Sequence, residues 1–245
     1  MSRAVILLIS GLCYAIFLAT FLYLIAFVGD VPWVPRTVDR GPETAFGAAI
    51  GVNLALVLLF GLQHSVMARP GFKRVWTRVV PPPIERSVYV LVASLVLILL
   101  FAAWRPISGT IWDVTGTALE WPMWLLFGAG WLIVLVSTFL INHFELFGLQ
   151  QAWLNLRGRQ AAEPELRQPL FYRWVAHPLY SGFFLAFWAT PQMSYGHLVL
   201  AGGMSAFMLI AIRYEERDLT DHFGDDYRRY RSKVGMLMPK LRERA

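Results

Sequence analysis

Long stretches without charge constrain this chain more than any other feature of its sequence. Six apolar windows, most of them close to 20 residues long, cover 4–28, 44–67, 87–104, 122–141, 174–190 and 196–212. A helix of about 20 residues spans the roughly 30 Å hydrocarbon core of a bilayer. Charged residues make up 16% of the chain, against about 25% in ordinary soluble domains. The sequence therefore predicts an integral membrane protein.

We expect an all-α, polytopic transmembrane bundle of about six hydrophobic segments, followed by a cytosolic C-terminal tail. The last two windows are separated by TPQMSYG, in which Pro191 and Gly196 are typical of a turn, so they should form a helical hairpin. The absence of repeats and low-complexity tracts predicts one domain over 1–245. The one cysteine, Cys13, excludes a disulfide framework.

The distribution of basic residues predicts the orientation of this bundle. They are concentrated in 68–86, in 142–172 and in the tail from Arg213 onward, whereas the loops 29–43 and 104–121 hold few. Short loops rich in Lys and Arg remain in the cytoplasm. Six crossings with both termini in the cytoplasm satisfy every loop. The net charge of +6 is then a topology signal and a headgroup contact, and no nucleic-acid-binding motif is present.

Polar side chains gather at the predicted cytoplasmic ends of the helices. The set contains His64, Glu85, Arg86, His143, Glu145, His177, Tyr180, Glu215 and Glu216. Ionisable groups within a bilayer are costly and usually mark a functional site. Taken singly, His64 and His143 are equally interpretable as interfacial residues, and Glu85 with Arg86 as a local ion pair. Because five predicted helices contribute to one layer, we favour a polar cavity that opens to the cytoplasm.

A metal site is a weaker interpretation of the same residues. The candidate ligands would be His64, His143, Glu145 and His177. None of them shows the i, i+4 pairing of an HExxH motif. We therefore expect no metal centre.

The C-terminal third resembles a known family. The segments AHPLYSG and RYEERDLTDHFGDDYRRYRSKVGMLMP contain HPxYxG, then EExxL, FGxxYxxY, a valine and a closing proline. This combination is similar to the signature of the integral membrane methyltransferases related to isoprenylcysteine carboxyl methyltransferase. Ala176 stands where that family often has an arginine, so the family's contact from this position to the cofactor carboxylate is not expected here.

The N-terminal half is similar to one branch of these proteins. The segments LQHSVMARPGFKRVW, VPPPIERSVYVL and NHFELFGLQQAW resemble the bacterial methanethiol S-methyltransferases, which group with NnrU-like membrane proteins. The resemblance implies S-adenosylmethionine as methyl donor and methanethiol as acceptor, with hydrogen sulfide as a second acceptor. It also implies a bacterial inner-membrane protein whose active site faces the cytoplasm. The expected partners are a small thiol and membrane lipids, with no nucleic acid and no obligatory protein partner.

The resemblance assigns donor binding to about 142–240. The expected cofactor-binding residues are His177, Tyr180, Gly182, Glu216 and Tyr230. A thiolate is the nucleophile in such a reaction, so a neighbouring base or cation should favour deprotonation of the thiol. The available groups are His64, His143 and Arg86, and we expect a histidine to be the base and Arg86 to fix polar geometry.

Three other functions remain open at this point. Methylation of a lipid-borne group, such as prenylcysteine or a phospholipid amine, would use the same architecture. A membrane factor of the NnrU kind would carry out no methyl transfer at all. Reduction with NADPH is conceivable on this architecture, but the sequence contains no added phosphate-binding cluster that requires it.

Overall fold

A computed structural model describes residues 1–160, 166 and 168–240 of the chain. Arg167, Arg242 and Arg244, which belong to the predicted cytoplasmic segments, lie outside these residues. Ten α-helices occur in the described part: α1 (Arg3–Val28), α2 (Phe46–Ala68), α3 (Pro70–Trp76), α4 (Pro82–Ala103), α5 (Glu120–Ile141), α6 (His143–Leu146), α7 (Leu149–Arg157), α8 (Pro178–Trp188), α9 (Tyr195–Phe223) and α10 (Asp225–Lys233). The predicted all-α, polytopic helical bundle is confirmed.

Five of the described helices are long and apolar enough to cross a membrane, namely α1, α2, α4, α5 and α9. The sixth predicted segment, 174–190, is shorter than expected, because α8 has 11 residues and measures about 16 Å, half of the hydrocarbon core. Pro178 fixes its start at the first helical turn. Its end at Trp188 comes shortly before Pro191, whose ring disfavours helical geometry in the preceding residue.

The connection between α8 and α9 also differs from the predicted tight turn. It contains a short strand, β2 (Gln192–Ser194), which pairs antiparallel with β1 (Thr110–Asp113), the strand between α4 and α5. The N–H of Val114, just after β1, donates to the carbonyl of Pro191 at 3.0 Å. Hence α8 and the residues after it return the chain to the level at which α5 begins. The cytoplasmic position of both termini stays a prediction.

The described chain divides into two compact units, each built from three segments. The first comprises Met1–Asp113, His143–Ala162 and Gln192–Met204, and the second comprises Val114–Asn142, Glu163–Pro191 and Ser205–Ala245. Each unit therefore has its own core.

In the first unit, α4 packs against α1 and α2, and α7 lies along α1 and α4. Ile6, Ile84 and Ala152 form a buried cluster where α1, α4 and α7 meet. The fully buried Asn53 of α2 is paired with the backbone of Arg105, accepting from its N–H at 2.9 Å and donating to its carbonyl at 2.7 Å. This pairing satisfies a buried amide and ties α2 to the chain that follows α4.

In the second unit, α5 and α8 pack with their backbones in contact. A Cβ atom on Gly182 would lie 2.7 Å from the carbonyl oxygen of Gly130 and 2.8 Å from the nitrogen of Val134. A Cβ atom on Gly130 would lie 2.6 Å from the nitrogen of Ala186. Small residues allow this close approach, which is how helices associate in membranes without a hydrophobic driving force.

Candidate active-site residues

His177 caps the start of α8 and lies between two carboxylates of the second unit. Its side chain is 3% exposed. Nε2 lies 3.2 Å from Oε1 of Glu216, and Nδ1 lies 4.0 Å from Oε2 of Glu215. Both glutamates come from the last third of α9. The structure thus brings together His177 and Glu216, two of the predicted cofactor-binding residues.

Arg231 of α10 completes this cluster. Its Nε–H donates to Oε1 of Glu216, the same oxygen that faces His177, and its Nη1 donates to the carbonyl of Val234 at 3.1 Å. The side chains of Glu216 and Arg231 are each 27% exposed. A charge-assisted bond of this kind fixes a carboxylate in place. We call these three residues, His177, Glu216 and Arg231, the charged cluster.

The tail beyond α10 lies alongside the backbone that precedes α8. Gly235 donates its N–H to the carbonyl of Trp174 at 3.1 Å, and Ala176 donates to Gly235 at 2.8 Å. His177 donates its backbone N–H to Met236 at 3.1 Å. Gly235 is required in this bend, because a Cβ atom there would lie 1.6 Å from the carbonyl oxygen of Met238. The tail therefore fixes the backbone that carries His177.

Tyr230, a predicted cofactor-binding residue, supports the same backbone. Its hydroxyl donates to the carbonyl of Tyr172 at 2.8 Å and lies 3.3 Å from that of Val175. Burial raises the pKa of Tyr230 to about 12, so the hydroxyl stays protonated and able to donate. These bonds give the Tyr230 hydroxyl a structural task within the described residues.

Tyr180 and Tyr227 present other aromatic groups near the charged cluster. The ring of Tyr180 meets that of His177 edge-on, with 5.8 Å between centroids. The hydroxyl of Tyr227 is buried and has no hydrogen-bond partner among the described residues. Burial and the neighbouring Glu216 and Glu215 raise the pKa of Tyr227. A buried hydroxyl of this kind is available to a ligand.

Gly182, also predicted to bind cofactor, lies at the contact of α8 with α5. The backbone of α5 occupies the space in which its side chain would stand. Its direct contribution is therefore to packing.

His143 occupies a different environment in the first unit. Nε2 and the hydroxyl of Tyr14 share a hydrogen bond of 2.8 Å. The rings of Tyr14, Phe144 and Phe147 meet the imidazole edge-on, with centroid distances of 5.7, 5.5 and 4.8 Å. Burial lowers the pKa of His143. The imidazole is therefore neutral near pH 7 and able to accept a proton. We call His143 and these three rings the aromatic cluster.

The contact with Tyr14 shows how deep His143 lies. Tyr14 is 11 residues beyond Arg3, the first residue of α1, which corresponds to about 16 Å along the helix. His143 follows the end of α5 in the chain, as the sequence predicts, and its side chain reaches Tyr14 near the middle of α1.

The turn from α6 to α7 allows this segment to lie against α4. Gly148 adopts φ 89°, a left-handed conformation that favours glycine. A Cβ atom there would also lie 2.5 Å from Oγ of Ser87. The residue before Ser87, Arg86, donates from Nε to the carbonyl of Leu146 at 2.7 Å. Arg86 therefore fixes the segment that carries His143.

The same arginine leads to His64. The guanidinium of Arg86 lies 4.9 Å from the ring centre of Tyr89. The hydroxyl of Tyr89 donates to the carbonyl of His64 at 3.3 Å, and the imidazole of His64 contacts the rings of Phe60 and Tyr89. All three predicted catalytic residues are thus linked through α4, although their catalytic roles stay predictions.

Sequence reasoning missed Tyr14, Tyr227 and Arg231. Tyr14 stands within an apolar helix with no neighbouring polar residue to draw attention to it. Tyr227 lies inside the recognised FGxxYxxY pattern, and Arg231 follows it directly, among the basic tail residues that were used only to predict the topology. The pattern was the available signal for both. Among residues 1–160, 166 and 168–240, no three His, Cys, Asp or Glu side chains are placed to hold a metal ion.

Comparison with known proteins reveals close relatives along almost the whole chain. The family model described as NnrU protein matches residues 53–239. A methanethiol S-methyltransferase of Mycobacterium tuberculosis is 52% identical, and the alignment covers 98% of each chain. Methanethiol S-methyltransferase 2 of Bradyrhizobium diazoefficiens is 49% identical over 98% of this chain and 92% of its own. That of Crocosphaera subtropica is 44% identical over 98% and 93%. No solved structure shows significant similarity.

Proposed function

This chain belongs to the NnrU family, and we propose that it transfers a methyl group from S-adenosylmethionine to methanethiol. The products would be dimethyl sulfide and S-adenosylhomocysteine. The observation that carries the proposal is identity of about half over nearly the full length with proteins named methanethiol S-methyltransferase. Hydrogen sulfide is proposed as a second acceptor. We further propose that the protein resides in a bacterial inner membrane with its active site facing the cytoplasm.

The residues of the second unit fit the polar groups of this donor. When bound, S-adenosylmethionine supplies a methyl group on a sulfonium sulfur, and it carries an ammonium, a carboxylate and two ribose hydroxyls. Glu215 and Glu216 offer acceptors for hydroxyl or ammonium hydrogens, and Arg231 offers a cation for a carboxylate. The buried hydroxyl of Tyr227 lacks a partner among the described residues, so it too is available to the donor.

Other residues of this unit would orient and shield the donor. His177 and Arg231 meet the same oxygen of Glu216, which fixes the direction of the carboxylate. The ring of Tyr180 would stabilise a nearby sulfonium by cation–π attraction. The tail that pairs with the backbone of His177 would keep water from the bound donor. Gly182 would contribute by setting the position of α8, and Tyr230 by holding the chain before it.

We propose that His143 is the base that takes the thiol proton. Its neutral imidazole would accept the proton from the thiol sulfur, and the resulting thiolate would take the methyl group, leaving S-adenosylhomocysteine as the second product. Collinear arrangement of the three reacting atoms supplies much of the acceleration. The aromatic cluster suits a small apolar thiol, and Arg86 would fix the segment that carries His143.

Headspace analysis of the purified protein tests this function. Protein in detergent would be incubated with methanethiol and methyl-labelled S-adenosylmethionine, with boiled protein and thiol-free samples as controls. We expect labelled dimethyl sulfide in proportion to the amount of protein. Label recovered in the lipid fraction would instead indicate a lipid-borne acceptor. If S-adenosylmethionine is not consumed at any pH from 6 to 10, whether or not it binds, the protein is a membrane factor that transfers no methyl group.

A further inference from the structure

A basic pocket lies in the second unit, where the tail meets the chain that leads into α8. Its cavity of about 440 Å³ is lined by Arg173, Trp174, Lys233, Pro239 and Lys240. Three of these five residues are cations and none is acidic. The volume is within the range of small-molecule sites. Its lining therefore favours an anion.

None of the three cations has an ion-pair partner in the described part of the chain. No salt bridge joins Arg173 or Lys233 to a described carboxylate, and Lys240 donates to the backbone carbonyl of Ser232. Arg228, another cation of α10, by contrast forms an ion pair with Asp225 at 2.9 Å. The cations that line the pocket are thus available for an external anion.

The location of the pocket identifies the source of that anion. Trp174 is 55% exposed and precedes α8, which packs against the membrane-crossing α5. Tryptophan is enriched at membrane–water interfaces, where its ring lies at the level of the lipid headgroups. The segments that carry these cations are predicted to face the cytoplasmic leaflet, whose anionic lipids attract basic residues. A phosphate attached to acyl chains satisfies both the cations and the indole.

We propose that this pocket binds the phosphate of an anionic phospholipid headgroup. Arg173 and Trp174 come from one side of the junction between the tail and α8, whereas Pro239 and Lys240 come from the other. A bound headgroup therefore bridges the two sides. It would hold in place the backbone pairing between Gly235, Ala176 and Trp174 that fixes His177. The proposal is independent of methyl transfer, because lipid binding is measured without turnover.

Retention of lipid by variants of the full chain tests the pocket. Wild type and variants would be reconstituted in nanodiscs of phosphatidylcholine with one quarter phosphatidylglycerol, extracted gently, and assayed for bound lipid by native mass spectrometry. We expect Arg173→Gln and Lys233→Gln each to lower phosphatidylglycerol retention roughly fivefold. Arg228→Gln removes the same charge from the same helix as Lys233, outside the pocket, and should retain lipid as wild type does. Unchanged melting temperatures verify that the variants are folded.

Three results would overturn the proposal. Equal retention by Arg173→Gln, Lys233→Gln and Arg228→Gln would mean that diffuse surface charge accounts for lipid binding. Full displacement of phosphatidylglycerol by millimolar inorganic phosphate would mean that the site takes a soluble anion rather than a lipid. Lys233→Arg, which preserves the charge, should retain phosphatidylglycerol. If it loses lipid as Lys233→Gln does, charge is not the recognised property and the pocket does not select an anion.

Discussion

Two buried histidines, each at the beginning of a helix, occupy opposite chemical environments. His143 in the first unit is surrounded by aromatic rings and bonded to the hydroxyl of Tyr14. His177 in the second unit lies between Glu215 and Glu216, the latter also bonded to an arginine. The difference indicates two tasks for one residue type. A desolvated neutral imidazole accepts a proton, whereas an imidazole within a network of charges orients carboxylates for a ligand.

The largest expected effect comes from removing the proposed base. His143→Ala should lower turnover about 10²–10⁴-fold, the usual contribution of general-base catalysis, while the donor dissociation constant stays within about twofold. Rates of dimethyl sulfide formation at saturating donor provide the measurement. His64→Ala is the matched control, because His64 is the other predicted base. A large loss in His64→Ala with none in His143→Ala would transfer the role to His64.

Disruption of the charged cluster should have the next largest effect, and it should fall on binding. Glu216→Gln and Arg231→Gln each remove a charge-assisted hydrogen bond, so donor affinity should fall by roughly 10–100-fold. Isothermal titration with S-adenosylmethionine measures the change. Arg228→Gln, three residues earlier on α10, serves as the control and should bind normally. If donor affinity is unchanged in both cluster variants, the charged cluster does not bind the donor. The difference in task between His143 and His177 is then contradicted.

The packing of α8 provides a prediction about stability. Gly130→Ala inserts a methyl group against the backbone of α8 and should destabilise the protein by about 1–3 kcal/mol. Gly128→Ala on the same helix has open space around the new methyl group and should be neutral or slightly stabilising. Thermal unfolding in detergent distinguishes the two. Equal losses would mean that close contact with α8 is not what requires glycine.

The smallest expected effect concerns the hydroxyl of Tyr14. Tyr14→Phe removes one hydrogen bond to His143 and should lower turnover by about 2- to 12-fold.

In wild type, burial holds the pKa of His143 below its ordinary value of about 6.5. Protonation of His143 removes the base. The rate should therefore fall only as the pH drops below 6.5, and it should be constant through neutral pH. A fall centred above pH 6.5 would contradict a desolvated base.

Local sequence was sufficient for the membrane class and for the polar residues near the helix ends. His177 and Glu216 are 39 positions apart, yet their family pattern predicted their association, and the structure has them 3.2 Å apart. The apolar window at 174–190 overestimates the length of the helix. Hydropathy measures only the length of the apolar stretch, whereas Pro178 sets the residue at which α8 begins. Tyr14 could not be predicted, since its partner His143 is 129 positions away and no local property of either residue indicates the contact.

Titration of S-adenosylmethionine into His143→Ala and His177→Ala, side by side with wild type, tests the division of tasks most directly. We expect His177→Ala to bind the donor roughly 10–100-fold more weakly, because Glu216 loses its partner at the start of α8, and His143→Ala to bind it as wild type does. Equal dissociation constants in the two variants, whether both weakened or both unchanged, would contradict the assignment of donor binding to one histidine and proton transfer to the other.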